Sequence, residues 1–332
     1  MTIIVTGAAG FIGANCVKAL NESGERDIVA VDHLAQADKF HNLVDCDISD
    51  YLDKHDFLDA LRRRKLPRAD VVFHQGACSD TMATDGCYVI DNNYQFSVEL
   101  FRWCQEQKVP LIYASSASVY GRGPDFIEDR AYEGPLNIYG YSKFLFDAFV
   151  RRLLARLAAP VVGLRYFNVY GPRESHKGRM ASVAFHAFNQ IREHGRVKLF
   201  EASHGYKNGE QRRDFVHVSD VVDVNFHFWK HPISGIYNVG TGRAQSFNDV
   251  AAAVINTVRA SRGDSPLTLQ QLVSEGAIEY IGVPDALISK YQAFTQADLT
   301  QLRAAGCNIA FQTVELGTSS YVDWLLARYP SA

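Results

Sequence analysis

Short apolar runs alternate along the chain with longer stretches in which apolar residues recur every three or four positions. Residues 2–6 form a β-branched run of strand length, which breaks into a glycine-rich turn before the helical pattern Cys16, Val17, Leu20. Residues 28–31 repeat the strand signal, an amphipathic stretch follows over 51–65, and 71–74 is again a short strand. A helical run over 92–107 leads to a strand at 111–114. A second periodic run (Phe144, Leu145, Phe149, Leu153, Leu154) leads to a strand at 161–166. Strands alternating with helices predict an α/β fold built on a doubly wound parallel sheet. A helix at 182–193, a strand at 197–200 and a helical run at 218–229 then predict a smaller C-terminal substrate lobe. The expected division is a dinucleotide domain over 1–167 and a substrate lobe over 168–332, with about 213–240 returning to the first. The last helix, 313–326, is amphipathic and is expected to serve packing or subunit contact.

The turn after the first strand reads Gly7-Ala8-Ala9-Gly10-Phe11-Ile12-Gly13, and Asp32 closes the second strand nineteen residues after Gly13. Glycines there let the backbone approach a pyrophosphate, which meets unpaired N–H groups and the positive dipole end of the helix. A carboxylate at that distance suits a ribose hydroxyl, so this pair predicts a dinucleotide site. Asp32 would accept bonds from a free 2′-hydroxyl but repel a 2′-phosphate. Lys39 and Lys54 would offset that repulsion, leaving NAD and NADP both open. Small residues after the 71–74 strand, Gln75-Gly76-Ala77, would let the dinucleotide lie across the strand ends.

Tyr139 and Lys143 stand four apart at the head of a helical run, so both point one way. An ammonium beside a phenol, with a cationic nicotinamide nearby, is expected to favour the phenolate. Ser116 ends a strand, where α/β sheets place their ligands, and its hydroxyl can bond a carbonyl oxygen formed during hydride transfer. Asn92 is expected either to bond backbone or to meet cofactor. Arg213 is the candidate diphosphate clamp, with a salt bridge to Asp214 or Asp220 as the alternative.

With 332 residues, 47% hydrophobic and 21% charged, the chain is too long for one small core and is not disordered. A net charge of −3 gives no electrostatic case for nucleic acid or an anionic membrane. Arg62 to Lys65 and Arg151-Arg152 are expected on solvated outer helix faces. Six cysteines without a C-x-x-C pair indicate neither a metal site nor disulfides, and suggest a reducing compartment. With no leader pattern and no long apolar segment, a cytoplasmic location is expected.

These motifs, with Arg165-Tyr166-Phe167-Asn168-Val169-Tyr170-Gly171-Pro172 and Arg213-Asp214-Phe215-Val216-His217, resemble the extended short-chain dehydrogenase/reductases. Asp91-Asn92-Asn93-Tyr94, Glu174-Ser175-His176-Lys177-Gly178, 180–186 and 291–295 are similar to the ADP-glycero-manno-heptose 6-epimerases among them. The resemblance implies Tyr139 and Lys177 as paired acid/bases, Ser116 as carbonyl partner and Lys143 on the nicotinamide ribose. It implies cofactor contacts at Phe11, Ile12, Asp32, His33, Lys39, Lys54, Gln75, Gly76, Ala77, Cys78, Ser79, Asn92, Val169 and Lys177, with NADP preferred. Substrate contacts are implied at Asn168, Arg179, His186, Phe200, Glu201, Ala202, Ser203, Arg213 and Tyr291. A nucleotide-sugar substrate and a homo-oligomer, a pentamer by resemblance, complete the expectation. His33, Arg179 and Ala202 depart from the family's usual residues. The segments 205–212 and 261–276 look longer than in some relatives. Rival readings are a 4-epimerase, a 4,6-dehydratase, or a non-catalytic NADP-binding module.

Overall fold

The computed structural model describes residues 1–284 and 292–329. Its first strands are β1 (Ile3–Thr6), β2 (Ile28–Asp32), β3 (Asp50–Asp53), β4 (Val71–His74), β5 (Leu111–Ser116) and β6 (Val161–Tyr166). They are followed by β7 (Asn168–Tyr170), β8 (Val197–Phe200), β9 (Arg212–His217), β10 (Gly235–Val239), β11 (Ala244–Ser246) and β12 (Ile278–Ile281). Seven of these form a sheet in the order β10-β6-β5-β4-β1-β2-β3, parallel throughout. The chain winds outward in both directions from β1 and β4, so a crevice opens at the carboxyl ends of those two strands.

Helices α1 (Phe11–Glu22), α2 (Lys54–Arg62), α3 (Gly86–Ile90), α4 (Phe96–Gln107), α5 (Ile138–Leu153), α6 (Val183–His194), α7 (Val218–Lys230) and α8 (Phe247–Ser261) pack around the sheets. Successive strand side chains point to opposite faces, and the sheet uses both. Ile3, Val5 and Phe73 pack with Val17, Leu20, Val224 and Phe228 of α1 and α7. Ile4, Val72 and Leu111 pack with Phe57, Phe101, Phe146 and Val150 of α2, α4 and α5. Full burial of each such side chain contributes about 1.5–3 kcal/mol. This is the doubly wound architecture expected from the sequence.

A separate core gathers Phe188, Leu199, Phe215, Val254, Val322 and Leu325 from α6, β8, β9, α8 and the last helix, Val314–Arg328. Three-stranded (β11-β9-β7) and two-stranded (β12-β8) sheets border it. The last helix packs its Tyr321, Val322 and Leu325 into this core.

Several expectations need correction. The helix expected from residue 51 starts at Lys54, because 50–53 instead pair with β2 from Val29↔Asp50 to Asp32↔Asp53. Asp53 then caps the helix by accepting the His55 N–H at 2.9 Å. The continuous helix expected over 92–107 is interrupted by a π-helical turn at Asp91–Gln95. There Asn93 accepts the Cys78 N–H at 2.7 Å and donates to Ser142 Oγ at 2.9 Å, tying the turn to two other segments. Arg151 is not a solvated-face residue: it pairs with buried Glu133 at 2.6 Å. The short strands β7 and β9 to β12, not expected from the sequence, pair with partners distant along the chain. No helix among the described residues is long and apolar enough to cross a membrane.

Candidate active site

The first glycine turn is built by close approach. Gly7 has φ +67°, and a Cβ on it would lie 2.6 Å from the Gly76 backbone; a Cβ on Gly13 would lie 2.0 Å from the Gly7 carbonyl oxygen. Gly10 caps α1 without a side-chain hydrogen bond, so the first N–H groups of the helix face the crevice free of a side-chain cap. Gly13→Ala must displace the loop. It should weaken dinucleotide binding at least about tenfold, read by calorimetry, since 1.4 kcal/mol of distortion suffices for that. Unchanged affinity would remove the loop from the site.

A cavity of about 680 Å³ runs from this turn across the strand ends. Every residue expected at the cofactor lines it: Gly7, Gly10, Phe11, Ile12, Gly13, Asp32, His33, Lys39, Lys54, Gln75, Gly76, Ala77, Cys78, Ser79, Asn92 and Val169. The four candidate catalytic residues, Ser116, Tyr139, Lys143 and Lys177, line the same cavity, as does Arg179.

At one end, buried Asp32 accepts from the Ala9 N–H at 2.8 Å, the His33 N–H at 2.6 Å and the Lys39 ammonium. Lys54 donates to Asn92 Oδ1 at 3.0 Å, so the asparagine bonds a side chain here rather than backbone. His33 Nδ1 stands 2.8 Å from Asp53 Oδ2. With His55 these form the one cluster among the described residues whose donors lie close enough, within 4.8 Å, for a metal ion. Each of the six cysteines is a free thiol.

At the other end, Asn137 caps α5 through the Gly140 N–H at 2.8 Å, which starts the helix one residue before Tyr139. Burial raises the Tyr139 phenol above its ordinary pKa, and the Ser116 hydrogen bond offsets only part of that. Lys143 by itself therefore does not favour the phenolate, expected from this ammonium together with a cationic nicotinamide. The ammonium is buried and donates to the Ala114 carbonyl at 2.8 Å, and a positive nicotinamide is the remaining source of such a bias.

Burial lowers the Lys143 pKa to about 8, with the Asp147 charge opposing. The unfolded chain holds this proton more tightly, so the group subtracts from stability below about pH 8. The penalty fades as pH rises from there toward 10.5. At pH 7 it amounts to roughly 3 kcal/mol, at least equal to the hydrogen-bond loss of about 1–3 kcal/mol at Ala114. Lys143→Met should therefore melt no lower than the wild type at pH 7; a drop of several degrees would contradict this.

Lys177 enters from a tight turn, Ser175–Met180, far along the chain. Its ammonium lies 4.9 Å from the Phe11 ring and 4.0 Å from Glu174 Oε2. Burial lowers its pKa, with Glu174 opposing. The turn is tied to the connection between β2 and β3: Gln36 donates to the His176 carbonyl at 2.8 Å, and Asn42 Nδ2 meets the Arg173 carbonyl at 3.1 Å and His176 Nδ1 at 3.0 Å. No local signal singles out Asn42 for this role, because the residues it meets lie more than a hundred positions along the chain.

The remaining described substrate candidates lie outside the cavity lining. Asn168 accepts from Thr295 Oγ1 at 3.3 Å, and His186 sits on α6. Phe200 ends β8, and beyond it Gln211 Nε2 bonds the Glu201 carbonyl and Ser203 Oγ, while Asn208 accepts the Ala202 N–H. These bonds close the long 205–212 segment. Arg213 is buried, with its guanidinium 5.9 Å from the Phe247 ring. Asp214 accepts four bonds, from Thr241 (two), Gly242 and Ala297. Arg179 pairs with Asp80 at 2.7 Å. Tyr291 lies outside the described residues.

The model of the NAD dependent epimerase/dehydratase family matches residues 3–240. The chain belongs to that family. An ADP-L-glycero-D-manno-heptose-6-epimerase from Helicobacter pylori is 33% identical, with 98% of this chain and 96% of that one covered and a TM-score of 0.80. A UDP-glucose 4-epimerase from Thermus thermophilus, solved with NAD, is 26% identical (97% and 98% covered, TM-score 0.75). A UDP-N-acetylglucosamine 4-epimerase from Methanobrevibacter ruminantium, 22% identical (98% and 98% covered, TM-score 0.79), shares the fold. For a member of the NAD dependent epimerase/dehydratase family the cavity is apt. It offers a glycine cradle that a Cβ would fill, an uncapped helix start and a buried carboxylate at the end of β2, which together fit a nicotinamide dinucleotide.

Proposed function

We propose that this enzyme inverts C6 of the heptose in ADP-D-glycero-β-D-manno-heptose, giving the L-glycero epimer for lipopolysaccharide core synthesis. The observation that carries the reading is a second proton-bearing group in the same cavity as Tyr139: Lys177, from a different segment of the chain, with burial lowering its pKa. The 33% identity to a heptose epimerase supports the choice of sugar.

A bound nicotinamide dinucleotide supplies reversible hydride transfer. Inversion requires the planar keto sugar to turn over, which carries its oxygen away from the group that took the first proton. Tyr139 and Lys177 serve as the two proton carriers, one for each orientation. Ser116 donates to the sugar oxygen beside Tyr139, and the ordered N–H groups of the glycine turn hold the pyrophosphate. Lys39 pairs with Asp32 and Lys54 lines the same cavity; two cations there would offset repulsion of a 2′-phosphate, the ground for NADP over NAD. Arg213, His186, Asn168, Arg179, Tyr291 and 200–203 would meet the ADP-sugar. A cytoplasmic homo-oligomer, a pentamer by resemblance, belongs to the same reading.

A 4,6-dehydratase needs an acid for elimination just after the Ser116 position, and Ala117 and Ser118 stand there. A 4-epimerase would not require Lys177. The deciding experiment supplies ADP-D-glycero-D-manno-heptose and follows C6 by NMR. Wild-type protein should invert it and Lys177→Met should lose about 10²–10⁴-fold in kcat. No inversion by the wild type, or full inversion by the variant, would overturn the assignment.

A further inference from the structure

Glu174 is fully buried, yet it carries a carboxylate beside the candidate proton carrier. Its Oε1 accepts from Ser182 Oγ at 2.6 Å and the Gly171 N–H at 3.4 Å; its Oε2 accepts the Ser182 N–H at 2.6 Å. Ser182 is itself the cap of α6, so the carboxylate fastens the Lys177 turn to the start of that helix. The Glu174 carbonyl also accepts the Lys177 N–H at 2.9 Å. Oε2 lies 4.0 Å from Lys177 Nζ, on which Phe11 closes at 4.9 Å. Tyr321, buried beneath, feels the same negative charge.

A helix cap alone needs no charge here: a serine, asparagine or aspartate nearer the helix would serve. A carboxylate taken wholly out of water is costly unless a cation and full hydrogen bonding repay it. Among the described residues the cation paired with it is the Lys177 ammonium, at 4.0 Å. We propose that Glu174 is a positioning residue for Lys177, fixing its turn against α6 and supplying the counter-charge for its ammonium. The proposal rests on the reading of Lys177 as a proton carrier. The carboxylate opposes the effect of burial, so the lysine keeps a proton to donate and still releases it more readily than an exposed lysine.

The test separates charge from cap and pairing from catalysis. In the full-length protein, lysines are reductively methylated with ¹³C-formaldehyde, and the Lys177 resonance, identified by its absence from Lys177→Arg, is titrated. Glu174→Gln should titrate at lower pH than the wild type. Ser182→Ala loses the same cap but keeps the charge, and should lower the melting temperature without moving the titration. An unmoved Lys177 titration in folded Glu174→Gln overturns the proposal. Should that variant not fold, Glu174→Asp, which withdraws the charge by one methylene, carries the test by the same criterion. In turnover, kcat of Glu174→Gln should fall about tenfold or more with KM little changed, and the limb of the pH profile governed by Lys177 should move to lower pH. Failure of the wild type to invert C6 would sink the functional reading, while the titration would still decide the pairing.

Discussion

Tyr139→Phe should bind the dinucleotide as the wild type does and lose about 10²–10⁴-fold in kcat, the range for removing a general acid/base. The ring stays, so the packing of α5 against the cavity is kept; only the proton-bearing atom goes. The phenol is the group that Ser116 contacts, and burial holds its proton on in the absence of a neighbouring positive charge. Lys143 cannot replace it, because its ammonium is engaged with the Ala114 carbonyl. Calorimetry for binding and NMR for C6 inversion separate the two effects. Unaltered turnover would remove Tyr139 from the chemistry, whereas cofactor binding without inversion in the wild type would mean that the cavity only binds its cofactor, as a non-catalytic module would.

The largest effect on stability should come from Asp147→Ala, at about 3–5 kcal/mol in urea unfolding. Asp147 is wholly buried and accepts from Arg165 Nε at 2.9 Å, Ser115 Oγ at 2.8 Å and Tyr113 OH at 3.0 Å. Arg165, also without exposure, pairs with Glu133 as well and lies 4.9 Å from the Tyr120 ring. Deleting Asp147 would leave a buried cation half compensated and two hydroxyls without an acceptor. The exposed Arg62–Glu99 pair is the control: at 2.7 Å its geometry is as good, yet solvent screening limits Glu99→Ala to about 1 kcal/mol or less. Equal midpoints for the two variants would show the buried network to be dispensable. Burial alone would raise the Glu133 pKa, but Arg151 and Arg165 outweigh it and lower it below 4.5. Its contribution is therefore present above that pH and fades as pH falls through the folded value. Asp147 also raises the Lys143 proton affinity, so the same variant should lose the Lys143 charge at lower pH.

How much of this was legible beforehand follows from the range of each interaction. The seven-stranded sheet was foreseeable because its inner strands are short apolar runs separated by helical periods. The edge strand β3, Asp-Tyr-Leu-Asp, was not, since its partner β2 and not its composition makes it a strand. Arg151 reads as a surface residue because the period of α5 places it outward; the Glu133 loop folding over it reverses that. The break at Asp91–Gln95 comes from Asn93 reaching Cys78 and Ser142, neither of which is a helical neighbour.

By itself the sequence determined the glycine turn, the carboxylate nineteen residues beyond it, and the shared face of Tyr139 and Lys143. Each of these is a relation within one turn or one strand-helix-strand unit, where fixed backbone geometry converts spacing into direction. Only the tertiary structure decided that Lys177 meets Phe11 in the same cavity, and that Arg165 is held between Asp147 and Glu133. Contacts such as that between residues 11 and 177 arise from how the sheet brings distant strand ends together, and no local period encodes them.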